Sequence, residues 1–259
     1  MTVTGSIPIP DPARYRCARG FTLIEMAVAL LVLTLLISAF LVPLQNQIEL
    51  RKVTETQKIL DQAMEALIGF AAANGRLPCP ASATSNGLED PVGGGTCTHP
   101  YDGFYPAATL GASPTDAQGY LVDAWGSIQN RVHYAVTTVS SNAFTTSNQI
   151  RATGMSGLAP NLNVCSTATG IAGGNCAAGT ILTNTAVAVI YSTGKNAATG
   201  GTGADEAENP NPNSSDNDRA FVWHTASDSN APNGEFDDLM VWLSPNMLYS
   251  KMLSAGQLP

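Results

Sequence analysis

Between Asp205 and Asp238 the chain carries nine acids (Asp205, Glu206, Glu208, Asp216, Asp218, Asp228, Glu235, Asp237 and Asp238) against one base, Arg219. Carboxylates at this density suit a hard cation, and Ca²⁺ takes roughly six to eight oxygens from flexible loops. Asp216-Asn217-Asp218 and Glu235-Phe236-Asp237-Asp238 flank a short predicted strand, so Asp216, Asp218, Glu235, Asp237 and Asp238 are candidate calcium ligands. Their spacing is not that of an EF-hand. The competing reading is a solvated loop whose acids keep a charge-poor protein in solution.

Other reactive side chains are sparse. The three histidines, His99, His133 and His224, lie in no nucleophile or zinc pattern, and two of them fall in predicted strands. Ser192-Thr193-Gly194-Lys195-Asn196 imitates the end of a phosphate loop, but Val189 stands at the first glycine position and Asn196 replaces Ser or Thr. Trp125, Trp223 and Trp242 could line a ligand surface, yet core packing is the default use of an aromatic in a strand. No catalytic constellation emerges, and the chain is expected not to be an enzyme.

Cys79, Cys97, Cys165 and Cys176 form an even set, which an oxidising compartment would oxidise. Of the three pairings, the sequence-local one, Cys79 with Cys97 and Cys165 with Cys176, is favoured because each bond closes a loop of glycines and small polar residues. Each loop closure would contribute about 3 kcal/mol. A metal site is disfavoured, since there is no C-x-x-C and Cys97-Thr98-His99 lacks partners at zinc spacing.

The last chemically odd residue is Glu25, the one acid in the otherwise apolar stretch from Phe21 to Leu44. A carboxylate near a membrane centre costs on the order of 2.5 to 3.5 kcal/mol, less at the edge, and calls for a cationic partner.

These groups depend on the elements that hold them. The stretch of residues 21–44 is long enough to cross a hydrocarbon core of about 30 Å. Arg14, Arg16 and Arg19 precede it with a single acid, Asp11, which places residues 1–20 in the cytoplasm and the rest across the membrane. A cleaved secretory signal fits poorly: the apolar run exceeds a signal core and a polar helix follows with no A-x-A-like site.

Beyond Pro43, expected to kink the helix, Ile48, Val53, Leu60, Met64, Leu67 and Ile68 recur at helical spacing to about Ala73. Asn74-Gly75 and Pro78 then stop the helix. After Pro80 the texture of Gly, Ser, Thr, Asn and Pro predicts short strands between long loops, the best being 128–136, 185–192, 221–224 and 239–243, enough for one sheet. Ser244 and Pro245 begin a final helix with Met247, Leu248, Met252 and Leu253 on one side and Gly256 past its end.

Charged residues make up 12% of the 259 residues, about half the usual share, and the net charge is −8 with a pI near 4.7. With no basic stretch past residue 52, nucleic acid is not an expected partner.

Arg19-Gly20-Phe21-Thr22-Leu23-Ile24-Glu25-Met26 resembles the cleavage and methylation motif of type IV pilins and type II secretion pseudopilins. The turn Asp123-Ala124-Trp125-Gly126 is similar to the D-x-W-G turn of major pseudopilins, with Ala where those proteins usually have Pro. The resemblance implies an α+β, pilin-like fold: a long N-terminal helix packed on an antiparallel sheet, with a loop-rich head and a short C-terminal helix.

It implies a leader at 1–20 that leaves with Cys17, a transmembrane or filament-core helix at 21–44, an amphipathic continuation at 45–75, and a periplasmic or extracellular head at 76–259. Prepilin peptidase would cut between Gly20 and Phe21 and N-methylate Phe21, and Glu25 would neutralise a neighbouring subunit's new amine in the filament. Further implied partners are other pilin subunits and an inner-membrane assembly platform. Some pseudopilins hold calcium in a C-terminal loop, which adds to the Ca²⁺ reading. The large head points to a minor subunit of the bacterial inner membrane, extracellular once assembled. The alternative is a membrane-anchored adhesive or ligand-binding module, which would have no use for Glu25.

Overall fold

The computed structural model describes residues 20–199, 203–209 and 218–258, with residues 39–44 and 46 described by backbone alone. The leader up to Arg19, with Cys17, and the candidate ligand Asp216 lie outside the described residues. The chain divides into two compact units, residues 1–48 and 49–259.

The first unit is the leading part of one helix, α1 (Leu23–Asn74), which continues through Pro43 without interruption. Its described side chains are exposed, among them Phe21, Leu23, Ile24, Leu31 and Leu35. Among the described residues no helix is long and apolar enough to cross a membrane. The expected span, 21–44, ends in the part described by backbone alone.

In the second unit α1 buries Ile59, Leu60, Ala63, Met64, Leu67, Ile68 and Ala71, a stripe repeating every three to four residues. Fully buried leucines such as Leu60 and Leu67 each contribute about 1.5–3 kcal/mol. The helix stops where Gly75, at φ +68°, donates its N–H to Ala71 O at 2.9 Å, a left-handed C-terminal cap that glycine adopts without a Cβ clash.

The stripe packs on a four-stranded antiparallel sheet. Its strands are β1 (Gly103–Phe104), β2 (His133–Val136), β5 (Ala188–Ser192) and β7 (Leu239–Leu243), in that spatial order. Tyr134, Val136, Ala188, Ile190 and Leu243 face α1, while the alternate residues Ala135, Val189, Tyr191 and Met240 face a second sheet.

That second sheet has the order β4 (Ile181–Ala186), β3 (Leu162–Cys165), β6 (Ala220–Val222). Its β3–β6 pair is parallel, a departure from the all-antiparallel expectation. Leu162, Val164, Ala186 and Phe221 close the core between the sheets. Cys165, Ala220, Val222 and Phe236 form a smaller cluster, with Cys176 packed against it. The head is thus helix, sheet, sheet and disulfide loop in layers, the pilin-like α+β class expected from the sequence.

Several predicted elements differ in extent. Ile128–Asn130 forms a 3₁₀ turn, so the strand expected at 128–136 begins only at His133. The run expected as one strand at 185–192 is divided at Val187: residues before it pair with β3, those after it with β2 and β7. The last helix, Pro245–Ser254, is capped by Ser244 Oγ, which accepts the Met247 N–H at 3.3 Å. Its buried residues are Leu248, Tyr249 and Met252, while Met247 and Leu253 of the expected apolar side are exposed.

Candidate functional site

At the start of α1, Gly20 has no atom within 4 Å of where a Cβ would stand, and Phe21 is 80% exposed. Thr22 and Glu25 form a reciprocal capping box. The Glu25 carboxylate accepts the Thr22 N–H at 3.3 Å and its hydroxyl at 3.2 Å, while Thr22 Oγ1 accepts the Glu25 N–H at 3.3 Å. Glu25 is therefore held at the helix start by local chemistry, close to the positive end of the dipole. The T-x-x-E spacing of Thr22 and Glu25 is the sequence signature of this box.

In the head, Asp205 is buried and accepts from Ala168 N at 2.6 Å, Thr167 Oγ1 at 3.0 Å, Asn233 Nδ2 at 3.0 Å and His224 Nε2 at 3.2 Å. It joins the Cys165–Cys176 loop to the segment after β6. Beside it Glu206 accepts from Asn196 Nδ2 at 2.9 and 3.0 Å and from Asp237 N at 2.9 Å. One oxygen each of Glu206, Asp237 and Asp238 lies within 4.8 Å of the others. Burial first, then the Glu206 charge, pushes Asp237 up to about 7. Burial likewise raises Asp238 well above the carboxylate range, with Asn209 opposing and Glu206 and Asp237 adding to it.

The described residues bring together part of the ligand set expected from the sequence. Of that set, Asp237 and Asp238 come together, and their companion is Glu206. Glu235 instead pairs with Lys195 Nζ at 3.1 Å, and Asp218 accepts the Ala220 N–H at 2.9 Å beside β6. The three-carboxylate group is also a poor fit for calcium. Glu206 uses both oxygens on Asn196, Asp237 Oδ2 accepts the Lys195 N–H at 3.2 Å, and Asp238 Oδ2 accepts Asn209 Nδ2 at 2.6 Å. With these oxygens engaged, the three carboxylates alone would supply only part of the roughly six to eight oxygens calcium takes.

Asn209 does more than bind Asp238. Its side-chain amide donates to Val222 O at 2.9 Å and accepts the Val222 N–H at 2.7 Å, replacing a neighbouring strand along the edge of β6. Asp123 plays a comparable part in the D-x-W-G turn. Its Oδ1 accepts the Trp125 N–H at 2.8 Å and its Oδ2 accepts Ser192 Oγ at 2.5 Å and Asn130 Nδ2 at 3.1 Å, tying the turn to the end of β5. Neither Glu206 nor Asn209 stood out in the sequence, because only the fold brings them to their partners.

The histidines hold structural positions. His133 lies between the rings of Phe104 and Tyr191, each at 4.9 Å, and burial lowers it to about 4. His99 Nδ1 meets Asp102 at 3.3 Å, and His224 stacks on Phe236 at 4.0 Å. Among the described residues no serine or threonine hydroxyl is hydrogen-bonded to a histidine, so no Ser–His or Thr–His pair is formed. Trp223 and Trp242 meet edge to face at 5.7 Å beside the inter-sheet core. Disulfides join Cys79 to Cys97 and Cys165 to Cys176, the sequence-local pairs.

No curated protein and no solved structure matches the chain. Residues 15–41 match the family model described as Prokaryotic N-terminal methylation motif. The matched segment runs into α1, so the chain carries a prepilin-type N-terminal methylation motif ahead of and along the start of that helix.

Proposed function

We infer that this chain is a structural filament subunit, a minor pilin or pseudopilin, of a type IV pilus or a type II secretion pseudopilus. The observation that carries the reading is the methylation motif at 15–41 running directly into an exposed apolar helix. Prepilin peptidase cuts between Gly20 and Phe21, where the backbone has no side chain at Gly20 to obstruct it, and N-methylates Phe21.

The new amine would be costly to leave unpaired in lipid or in a filament core. Glu25 of a neighbouring subunit, already oriented by its capping box, is its counter-ion and fixes axial register. Before assembly, residues 21–44 anchor the subunit in the inner membrane with the N-terminus cytoplasmic and the head periplasmic. An inner-membrane platform then adds it to other subunits, spine against spine. The two disulfides agree with a head that folds in an oxidising compartment.

The test is the intact mass and N-terminal sequence of the membrane-fraction protein from cells with and without prepilin peptidase. A chain beginning at N-methylated Phe21, only when the peptidase is present, is the expected result. A chain beginning at Met1 in both, or well after Leu44, overturns it.

A further inference from the structure

We propose that Asn86 and Gly87 form a self-modification site, at which the head deamidates its own asparagine with water as the only reagent. The inference goes beyond the filament reading and does not rest on it. Three Asn-Gly pairs occur in the chain, Asn74-Gly75, Asn86-Gly87 and Asn233-Gly234, and the structure leaves one of them open to the reaction.

In this chemistry the main-chain nitrogen of the glycine loses its proton to water and attacks the asparagine Cγ. A C–N bond forms, the Cγ–Nδ2 bond breaks, ammonia leaves with the proton, and a cyclic succinimide remains. Water then opens the ring. Its attack at Cγ gives an aspartyl residue, and its attack at the main-chain carbonyl gives an isoaspartyl link, which lengthens the backbone by a methylene. Glycine suits the second position because no Cβ obstructs the approach of its nitrogen. The first step needs a free glycine N–H, a free asparagine side chain and a peptide plane able to turn, since any hydrogen bond that holds them must open first.

Two of the pairs fail these conditions. Asn74 Nδ2 donates to Phe70 O at 2.9 Å, and the Gly75 N–H is held by Ala71 O at 2.9 Å. Asn233 Nδ2 donates to Thr167 Oγ1 at 2.7 Å and Asp205 Oδ2 at 3.0 Å, and the Gly234 N–H is held by Ala231 O at 3.0 Å. Asn86 is exposed. Among the described residues its side-chain amide makes no hydrogen bond, and neither does the peptide unit that joins it to Gly87, at its C=O or its N–H. The anchors lie on either side of that unit: the Asn86 N–H donates to Tyr120 Oη at 3.0 Å, and Gly87 O accepts the Ala108 N–H at 2.9 Å. The product acts on those anchors. Gly87 is packed so closely that a Cβ there would collide with Gly119 O, so an added backbone atom between the anchors has no slack to occupy. The isoaspartyl form therefore releases the turn of residues 82–88 from Tyr120 or Ala108, and the aspartyl form does not.

The full-length protein in detergent micelles is incubated in mildly alkaline buffer, digested with pepsin in acid and mapped by mass spectrometry, with electron-transfer fragmentation to tell isoaspartate from aspartate. A parallel sample is reduced and held in guanidinium chloride. In the folded protein Asn86 should convert about tenfold or more faster than Asn74 or Asn233, where at least two hydrogen bonds must open first. In the denatured sample the three rates should converge. Hydrogen exchange across residues 82–88 should quicken in the isoaspartyl product and stay slow in Asn86→Asp, which carries the new charge on the original backbone. The proposal falls if Asn74 or Asn233 keeps pace with Asn86 in the folded protein, if Asn86 stays intact there over the time in which the denatured chain reacts, or if the isoaspartyl product exchanges like Asn86→Asp.

Discussion

Replacing Glu89 with Gln should lower stability sharply, because Glu89 is the anion on which the junction between α1 and the first disulfide loop is built. Arg76 donates Nη1 to Glu89 Oε2 at 2.7 Å and Nη2 to Oε1 at 2.8 Å, and the side chains are 8% and 5% exposed. The N–H groups of Cys79 and Gly93 add bonds at 3.2 and 3.1 Å. In Glu89→Gln the shape survives, but the Arg76 cation stays buried without a counter-ion and one amide nitrogen faces donors. Breaking such a pair from one side costs about 3–5 kcal/mol. For a unit of this size that corresponds to a fall in Tm of roughly 6–20 °C.

The pH dependence supplies a second signature. Burial pushes Glu89 up, but the Arg76 hydrogen bonds and charge, with the two N–H groups, outweigh it and hold its carboxyl below the ordinary value of 4.5. A carboxyl with a depressed folded value contributes stability that is present above the unfolded value and lost as pH falls through the folded one. The parent should therefore lose stability on acidification below about pH 4.5 more steeply than Glu89→Gln. Thermal unfolding followed by circular dichroism from pH 3 to 7 measures both effects. A loss under about 2 °C at neutral pH, or parallel acid profiles, would refute the idea that the buried pair holds this junction.

Asp237 has the opposite sign. Its folded value, raised to about 7, lies above its unfolded one of 3.8, so the head binds the proton more tightly than the unfolded chain and loses stability as pH rises from about 4 to 7. Asp237→Asn should remove that slope and gain about 1–2 kcal/mol at pH 8, a value reduced from the full shift for solvent screening of a partly exposed side chain and read by urea denaturation. Asn209→Ala should cost about 2–4 kcal/mol and leave the β6 edge unpaired, with self-association appearing in size-exclusion chromatography. Ser244→Ala removes the cap of the last helix and should cost about 1 kcal/mol, measured by the same denaturation.

The legible parts of this protein are those governed by local patterns. The helical spacing from Leu60 to Ile68 announced the buried stripe of α1, and Ser244-Pro245 announced the start of the last helix. The strand Leu239–Leu243 was read with its observed ends. What remained hidden depends on tertiary pairing. The apolar run through Val187 reads as one strand, and only the two sheets on either side of it determine where it divides. β3, Leu162–Cys165, is short and sits between glycine-rich loops, so its pattern is too brief to register.

The candidate site divides in the same way. The T-x-x-E spacing at Thr22 was visible, as were the paired acids Asp237 and Asp238. Their companionship with Glu206, about thirty residues upstream, follows from the packing of its short helix, Ala204–Glu208, beside β6. Charge density alone could not tell Glu235, engaged by Lys195, from Asp237, which retains an unpaired oxygen.

Under tension the two disulfides acquire a different meaning, as limits on how far the head can be drawn out. Cys79 follows the end of α1 by five residues, so a pull transmitted down that helix reaches the Cys79–Cys97 bond almost at once. The bond withholds a loop of sequence separation 18, and the Cys165–Cys176 bond one of separation 11. At about 3.5 Å per extended residue these loops remove roughly 60 and 40 Å from the releasable contour. A reduced head pulled to full extension should lengthen by that much more than an oxidised one, with the first loop freed next to the point where the load enters.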